Sequence, residues 1–165
     1  MSNNMYNYRA DIINSIIPYS KMDQRITLLV CDMGFGVTDK FNDEFPDRIF
    51  NMGLAEQGTV GIAAGLAMTG LVPIVYSIVN FLVFRTLEQI RNDVVMQGLN
   101  VKFIGTGAND YFQFLGPSHC CGQDDIRILE MIGLEVYDPY EKPDDDFGDL
   151  VHRWIQAPGP GYLRV

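Results

Sequence analysis

Apolar positions along this chain fall into segments of two lengths. Short unbroken apolar runs at 26–31, 48–51, 72–77, 101–106, 134–137 and 161–165 suit buried strands, whereas stretches at 5–19, 55–68, 81–97, 124–131 and 144–156 carry apolar residues at helical spacing. Pro18 is expected to close the first helix, Gly70 to end the helix over 55–68, and Gly98 to cap the one over 81–97. Strands that lack polar alternation are covered on both faces, so the pattern predicts a three-layer α/β/α sandwich around a mostly parallel sheet. Ligands of such sheets sit at the carboxyl ends of the strands. Loops starting at Asp32, Asn51, Ser77 and Gly107 leave those ends, which directs Glu56, Phe81 and His119 toward one place. Neither an internal repeat, a low-complexity tract nor a linker interrupts the pattern, so 1–165 reads as one domain. The run Pro143-Asp-Asp-Asp146 reads as a helix start whose acids favour the macrodipole.

Composition narrows the partners. A chain of 165 residues buries roughly 70% of its unfolded surface, enough for a real core. With 12 basic against 21 acidic residues the net charge is −9, which argues against nucleic acid or an anionic membrane as the main partner. Cys31, Cys120 and Cys121 form neither an even framework nor a metal-ligand spacing, so reduced thiols in a cytoplasmic setting are expected. The polar start and the lack of a long apolar run predict neither a signal peptide nor a membrane span.

The segment Asn51-Met-Gly-Leu-Ala-Glu-Gln-Gly-Thr-Val-Gly-Ile-Ala-Ala-Gly-Leu-Ala67 places one carboxylate, Glu56, at the entry of a helix made of glycine, alanine and aliphatic residues. From position alone two readings stand. Glu56 favours a helix N-terminus electrostatically, or it is a functional acid that needs a specific partner in an apolar wall.

Gly53-Leu-Ala-Glu-Gln57 with Gly61-Ile-Ala-Ala-Gly65, then Phe81-Leu-Val-Phe84, Gly116-Pro-Ser-His119 and the ending Gly161-Tyr-Leu-Arg-Val165, resemble the pyrimidine-binding domain of the transketolase family of thiamine diphosphate enzymes. Each motif is weak alone, but four in order at these intervals are a strong signal. The resemblance spans about Thr27 to the end and implies a thiamine diphosphate-binding fold. It also implies that Glu56 hydrogen-bonds N1′ of the cofactor's aminopyrimidine, that Phe81 and Phe84 pack on the pyrimidine, and that Asp32 points toward the cofactor from the same edge. His119 is implied to face the substrate, where it can bind a carbonyl or hydroxyl or move a proton. As bare residues, the phenylalanines read first as a core pair, since an aromatic pair at helical spacing is ordinary, and Asp32 reads also as a turn cap. Arg85 and Arg91 reach substrate anions or pair with surface acids; the sequence does not choose between these.

Two positions depart from the family's pattern. Leu115 stands where many sugar-using transketolases have an aspartate, behind an aromatic approach of Tyr111, Phe112 and Phe114, and Leu87 stands where a third aromatic is common. The family's diphosphate motif, which holds Mg2+ through hard oxygen ligands, is not found. A second subunit carrying that motif and most of the metal's ligands is therefore expected, in a heterotetramer of two chains of each kind, with the small residues of 55–68 in a dimer interface. Two-carbon ketol transfer on a keto sugar is the leading activity. Decarboxylation of a 2-oxo acid, or carboligation, is the alternative, as is a noncatalytic regulatory partner that retains the fold. A stand-alone nucleotide or flavin binder suffers from the lack of a glycine-rich phosphate loop.

Overall fold

A computed structural model describes residues 6–142 and 146–165. Position 5, the expected start of the first helix, lies outside these residues, as do 143–145, the greater part of the acidic run. Six strands form one all-parallel sheet: β1 (Ile26–Val30), β2 (Ile49–Asn51), β3 (Val72–Ile78), β4 (Lys102–Thr106), β5 (Glu135–Tyr137) and β6 (Gly161–Arg164), in the order β2-β1-β3-β4-β6-β5. The helices are α1 (Arg9–Met22), α2 (Asp39–Glu44), α3 (Glu56–Met68), α4 (Val79–Val83), α5 (Leu87–Gln89), α6 (Asp124–Met131) and α7 (Phe147–Gln156), with a π-helical stretch over Ile90–Val95.

Successive strand residues serve opposite cores, as the period of two requires. Leu28, Val30, Ile74, Tyr76, Ile104 and Leu163 pack under α1 and α7. Leu29, Val75, Phe103 and Tyr162 face the other way, against α3, α4 and α6. The doubly covered sandwich expected from the unbroken apolar strands is thus observed.

Two elements differ from expectation. Helix α1 runs through Pro18 to Met22. The proline stands on the solvent face, while Ile12, Ile13, Ile16 and Ile17 bury the opposite one, and that burial outweighs the missing backbone bond. Arg48 then receives the end of the helix by donating to the carbonyls of Ser20 and Asp23. The single helix expected over 81–97 begins earlier, at Val79, and breaks at Thr86. The buried Thr86 hydroxyl donates to the carbonyl of Leu82, four residues back, a bond that competes with helix continuation and bends the chain. Beyond α5 the backbone widens into the π-helical turns.

From β1 the chain moves to one edge through β2, and from β3 it moves to the other through β4. Adjacent β1 and β3 therefore flank the switch point, where their carboxyl-end loops part and open a crevice.

Candidate active site

The loop after β2 feeds α3, whose first residue is Glu56. No side chain caps this helix start, and Glu56 does not cap it either. Its carboxylate, only 1% exposed, turns to Arg85 on the neighbouring α4–α5 segment, whose Nη1 donates to Oε2 at 2.6 Å. A buried carboxylate without such a cation is expensive, so the pair is what allows Glu56 inside an apolar wall. Its other oxygen, Oε1, is buried and has no hydrogen-bond partner among the described residues.

The β3 strand passes directly into α4, which sets Asn80 and Phe81 at the mouth of the crevice. Asn80 is buried, and its Nδ2 donates to the carbonyl of Cys120 at 2.9 Å, which ties α4 to the loop that carries His119. Phe81 is half-buried between two partners. The Arg85 guanidinium lies over one face, 4.5 Å from the ring centroid, and His119 meets the ring edge-on at 5.0 Å. Glu56, Arg85, Phe81 and His119 therefore form one continuous chain of contacts. His119 Nδ1 shares a hydrogen bond with the hydroxyl of Ser118 at 3.0 Å.

Phe84 stands apart from this chain. It is 44% exposed and borders a neighbouring surface cleft together with Gln57, Arg85 and Met131. Leu87, in the place of a third aromatic, lines the same cleft. Asp32 is exposed at the end of β1, with φ of 46°, a conformation that aspartate tolerates better than most residues. It exchanges two hydrogen bonds with Asn51, at the end of adjacent β2: its N–H donates to Asn51 Oδ1, and its Oδ1 accepts from Asn51 Nδ2, both at 3.1 Å. Asn51 Oδ1 also accepts the N–H of Gly53, so this pair shapes the turn that leads to Glu56.

The loop after β4 folds through two short 3-10 turns, Gln113–Leu115 and Pro117–His119. Gly107 starts it with φ of 88°, and a Cβ there would stand 2.3 Å from Phe112, so the phenylalanine packs where only a glycine leaves room. Arg9 stacks its guanidinium on Phe112 and Tyr111. Phe114 and Leu115 are exposed beside the Gly116–His119 turn. Cys31 lies beneath, with Sγ 3.7 Å from Thr59 Oγ1; burial first, and the charge of Glu56 in the same direction, push its thiol up.

Sequence reasoning missed the far anchor of this loop. Arg164, fully buried in β6, donates to both oxygens of Asp125, to Asp138 and to the carbonyl of Gly122, while Tyr162 donates its hydroxyl to Asp125 at 2.8 Å. Gly122 in turn gives its N–H to Asp110 at 2.7 Å. A lone arginine in an otherwise apolar last strand was the available signal. Arg85, left open in the sequence between substrate anions and surface acids, pairs instead with the buried Glu56, and its place four residues after Phe81 puts both on one helical face. Among the described residues, no cluster of three or more His, Cys, Asp or Glu is arranged to hold a metal, and no helix is long and apolar enough to cross a membrane.

The sheet and its flanking layers are those of transketolase-like α/β domains. A split-gene transketolase, solved as an inactive beta4 tetramer, superposes with a TM-score of 0.81 at 28% identity, over 97% of this chain and 50% of that one. The transketolase of Campylobacter jejuni superposes with a TM-score of 0.77 at 16% identity, covering 94% and 25%, a likeness of fold alone. The chain belongs to the transketolase pyrimidine-binding domain family, whose pattern it matches over residues 6–165. It is 31% identical over 159 residues to a 6-deoxy-6-sulfo-D-fructose transketolase subunit from a Clostridium species, covering 95% of this chain and 48% of that protein. It is 39% identical over 157 residues to a putative transketolase C-terminal section of Methanocaldococcus jannaschii, covering 92% and 48%. The chain thus spans about half the length of these curated relatives. Family membership implies thiamine diphosphate as the cofactor.

Proposed function

We propose that this chain supplies the pyrimidine-binding half of a split, transketolase-like enzyme, and that Glu56 activates the cofactor for two-carbon ketol transfer. The observation that carries the reading is the carboxylate of Glu56: one oxygen is held by Arg85, and the other is buried with no partner. A buried acceptor left open costs free energy unless a donor fills it, and the ring nitrogen of an aminopyrimidine does so when it carries a proton. Bound thiamine diphosphate supplies a nucleophilic carbon next to a positively charged ring, the species needed to break or form a carbon–carbon bond beside a carbonyl.

This chain's own residues supply the rest. Glu56 shares a proton through Oε1 in a wall that excludes water, and low polarity strengthens that bond. Phe81 offers to the pyrimidine the flat face of its ring that Arg85 does not cover. His119, steadied by Ser118 and Phe81, holds or moves a proton on a substrate oxygen. Asp32, paired with Asn51 beside the turn that leads to Glu56, is assigned to the cofactor from the same sheet edge. The diphosphate and its Mg2+ are assigned to the partner subunit, and a keto sugar is the leading substrate. Support for a partner comes from the relatives named as transketolase subunits and from the outer face of α3, where Gly58, Gly61 and Gly65 have no heavy atom within 4 Å of a would-be Cβ. A face that smooth fits close helix packing in a heterotetramer.

A second reading is favoured by one feature. Leu115 and Phe114 present apolar surface beside the His119 turn, where a sugar hydroxyl would want a polar partner. On that reading the substrate is a 2-oxo acid, and the reaction is decarboxylation or carboligation.

Titration of thiamine diphosphate with magnesium into the chain alone, and into its complex with a diphosphate-binding subunit, tests the split site. Binding is expected only in the complex. Glu56→Gln is expected to lower turnover of that complex by about 10²-fold or more with assembly intact, the scale of a lost acid–base group. A variant that kept most of the activity would overturn the role of Glu56.

A further inference from the structure

Arg85 makes two contacts at once. Its Nη1 reaches Glu56 Oε2 at 2.6 Å, and its guanidinium lies 4.5 Å over Phe81, one helical turn earlier. The side chain is 45% exposed whereas Glu56 is 1% exposed, so a cation at the rim reaches inward to a buried anion. A carboxylate's last torsion is broad and nearly two-fold, so by itself it presents either oxygen to a ligand. A charge-assisted bond to one oxygen removes that freedom. Phe81 completes the constraint, because stacking holds the guanidinium over the same ring that meets His119.

We infer that Arg85 is a positioning residue for Glu56: by holding Oε2 it fixes the plane of the carboxylate and leaves Oε1 alone to meet the pyrimidine nitrogen. The inference rests on the assignment of Glu56 to that nitrogen. It also explains why a strongly basic residue stands at the rim of a site whose ligand brings its own positive ring. The arginine faces the carboxylate and the phenylalanine rather than the ligand.

The test is cofactor affinity in the complex with the diphosphate-binding subunit. Arg85→Ala is expected to raise the dissociation constant of thiamine diphosphate with magnesium about tenfold, the scale of one charge-assisted hydrogen bond. Arg85→Lys should recover part of the loss, and millimolar guanidinium added to the alanine variant should recover part as well. In a Glu56→Ala background, where no carboxylate remains to be fixed, Arg85→Ala should cost nothing more. An equal loss in that background would give Arg85 a direct contact with the ligand and overturn the positioning role, and so would wild-type affinity in Arg85→Ala. Glu56→Ala that binds as tightly as wild type would instead remove the assignment of Glu56. If Arg85→Ala fails to fold, as read by circular dichroism, Arg85→Gln carries the same comparison.

Discussion

Replacing Arg164 by methionine keeps an unbranched apolar stem and removes the guanidinium with its charge, so it probes what the buried network contributes. Arg164 is enclosed with Asp125, and its guanidinium spans both oxygens of that acid at 3.0 and 3.2 Å, Asp138 at 2.9 Å and the Gly122 carbonyl at 3.0 Å. Burial pushes this guanidinium down, but Asp125 and then Asp138 outweigh it and hold it above the usual arginine range. Without the cation, the fully buried carboxylate of Asp125 is left uncompensated, beside the partly buried Asp138 and the Gly122 carbonyl. Breaking a buried pair from one side costs roughly 3–5 kcal/mol. Set against a typical domain stability of about 5–15 kcal/mol, that is a large fraction. At roughly 2–4 °C per kcal/mol for a chain of this size, the melting temperature should fall by about 6–20 °C. Urea unfolding followed by circular dichroism measures the loss directly. Adding Asp125→Asn to Arg164→Met should return part of it, because the second change removes one stranded charge. A single variant within about 1 kcal/mol of wild type, or a double variant no better than the single, would refute the reasoning.

Three further outcomes rest on the loop after β4 and on the three thiols. Gly107→Ala forces a Cβ against Phe112 at a positive φ, and should cost about 1–3 kcal/mol while shifting the His119 turn; a loss of stability with an unchanged KM in the complex would contradict the link between loop and site. The buried thiol of Cys121 is pushed up by burial to about 12 from an ordinary value near 9. Below pH 9 folded and unfolded chains both keep that proton, and between 9 and 12 only the folded chain does, so stability should fall as pH rises through that window. The fall should be shallower in Cys121→Ala, as read by denaturant midpoints between pH 8 and 10. At pH 8 a thiol reagent should label half-buried Cys120 first, with Cys31 and Cys121 reacting only on unfolding.

Strand positions and the two-sided core were legible because burial on both faces leaves an unbroken apolar run, as at Leu28-Leu29-Val30. The helix ends were less so. At Pro18 the local rule against proline lost to the burial of four isoleucines, and at Thr86 one hydroxyl broke a helix whose periodicity continues on both sides. Glu56 was legible as a buried acid by its apolar company. Its partner was not, since an arginine in a periodic helix carries no mark of where its long side chain ends.

That asymmetry has a physical basis. Motifs report positions where backbone and small side chains must fit a ligand, and this chain shows them at Gly53–Gln57 and Gly116–His119. Ion pairs across elements are set by the packing of α3 against the segment after α4, which no local spacing encodes. Around the proposed site, packing leaves one buried oxygen of Glu56 and one of Asn80 without a hydrogen-bond partner among the described residues, and the outer face of α3 is lined with glycine. Around Arg164, by contrast, the domain closes both Asp125 oxygens with its own side chains. An acid left half-satisfied in an apolar wall is the feature that a ligand, rather than the fold, would complete, and it is why Glu56 carries the functional reading.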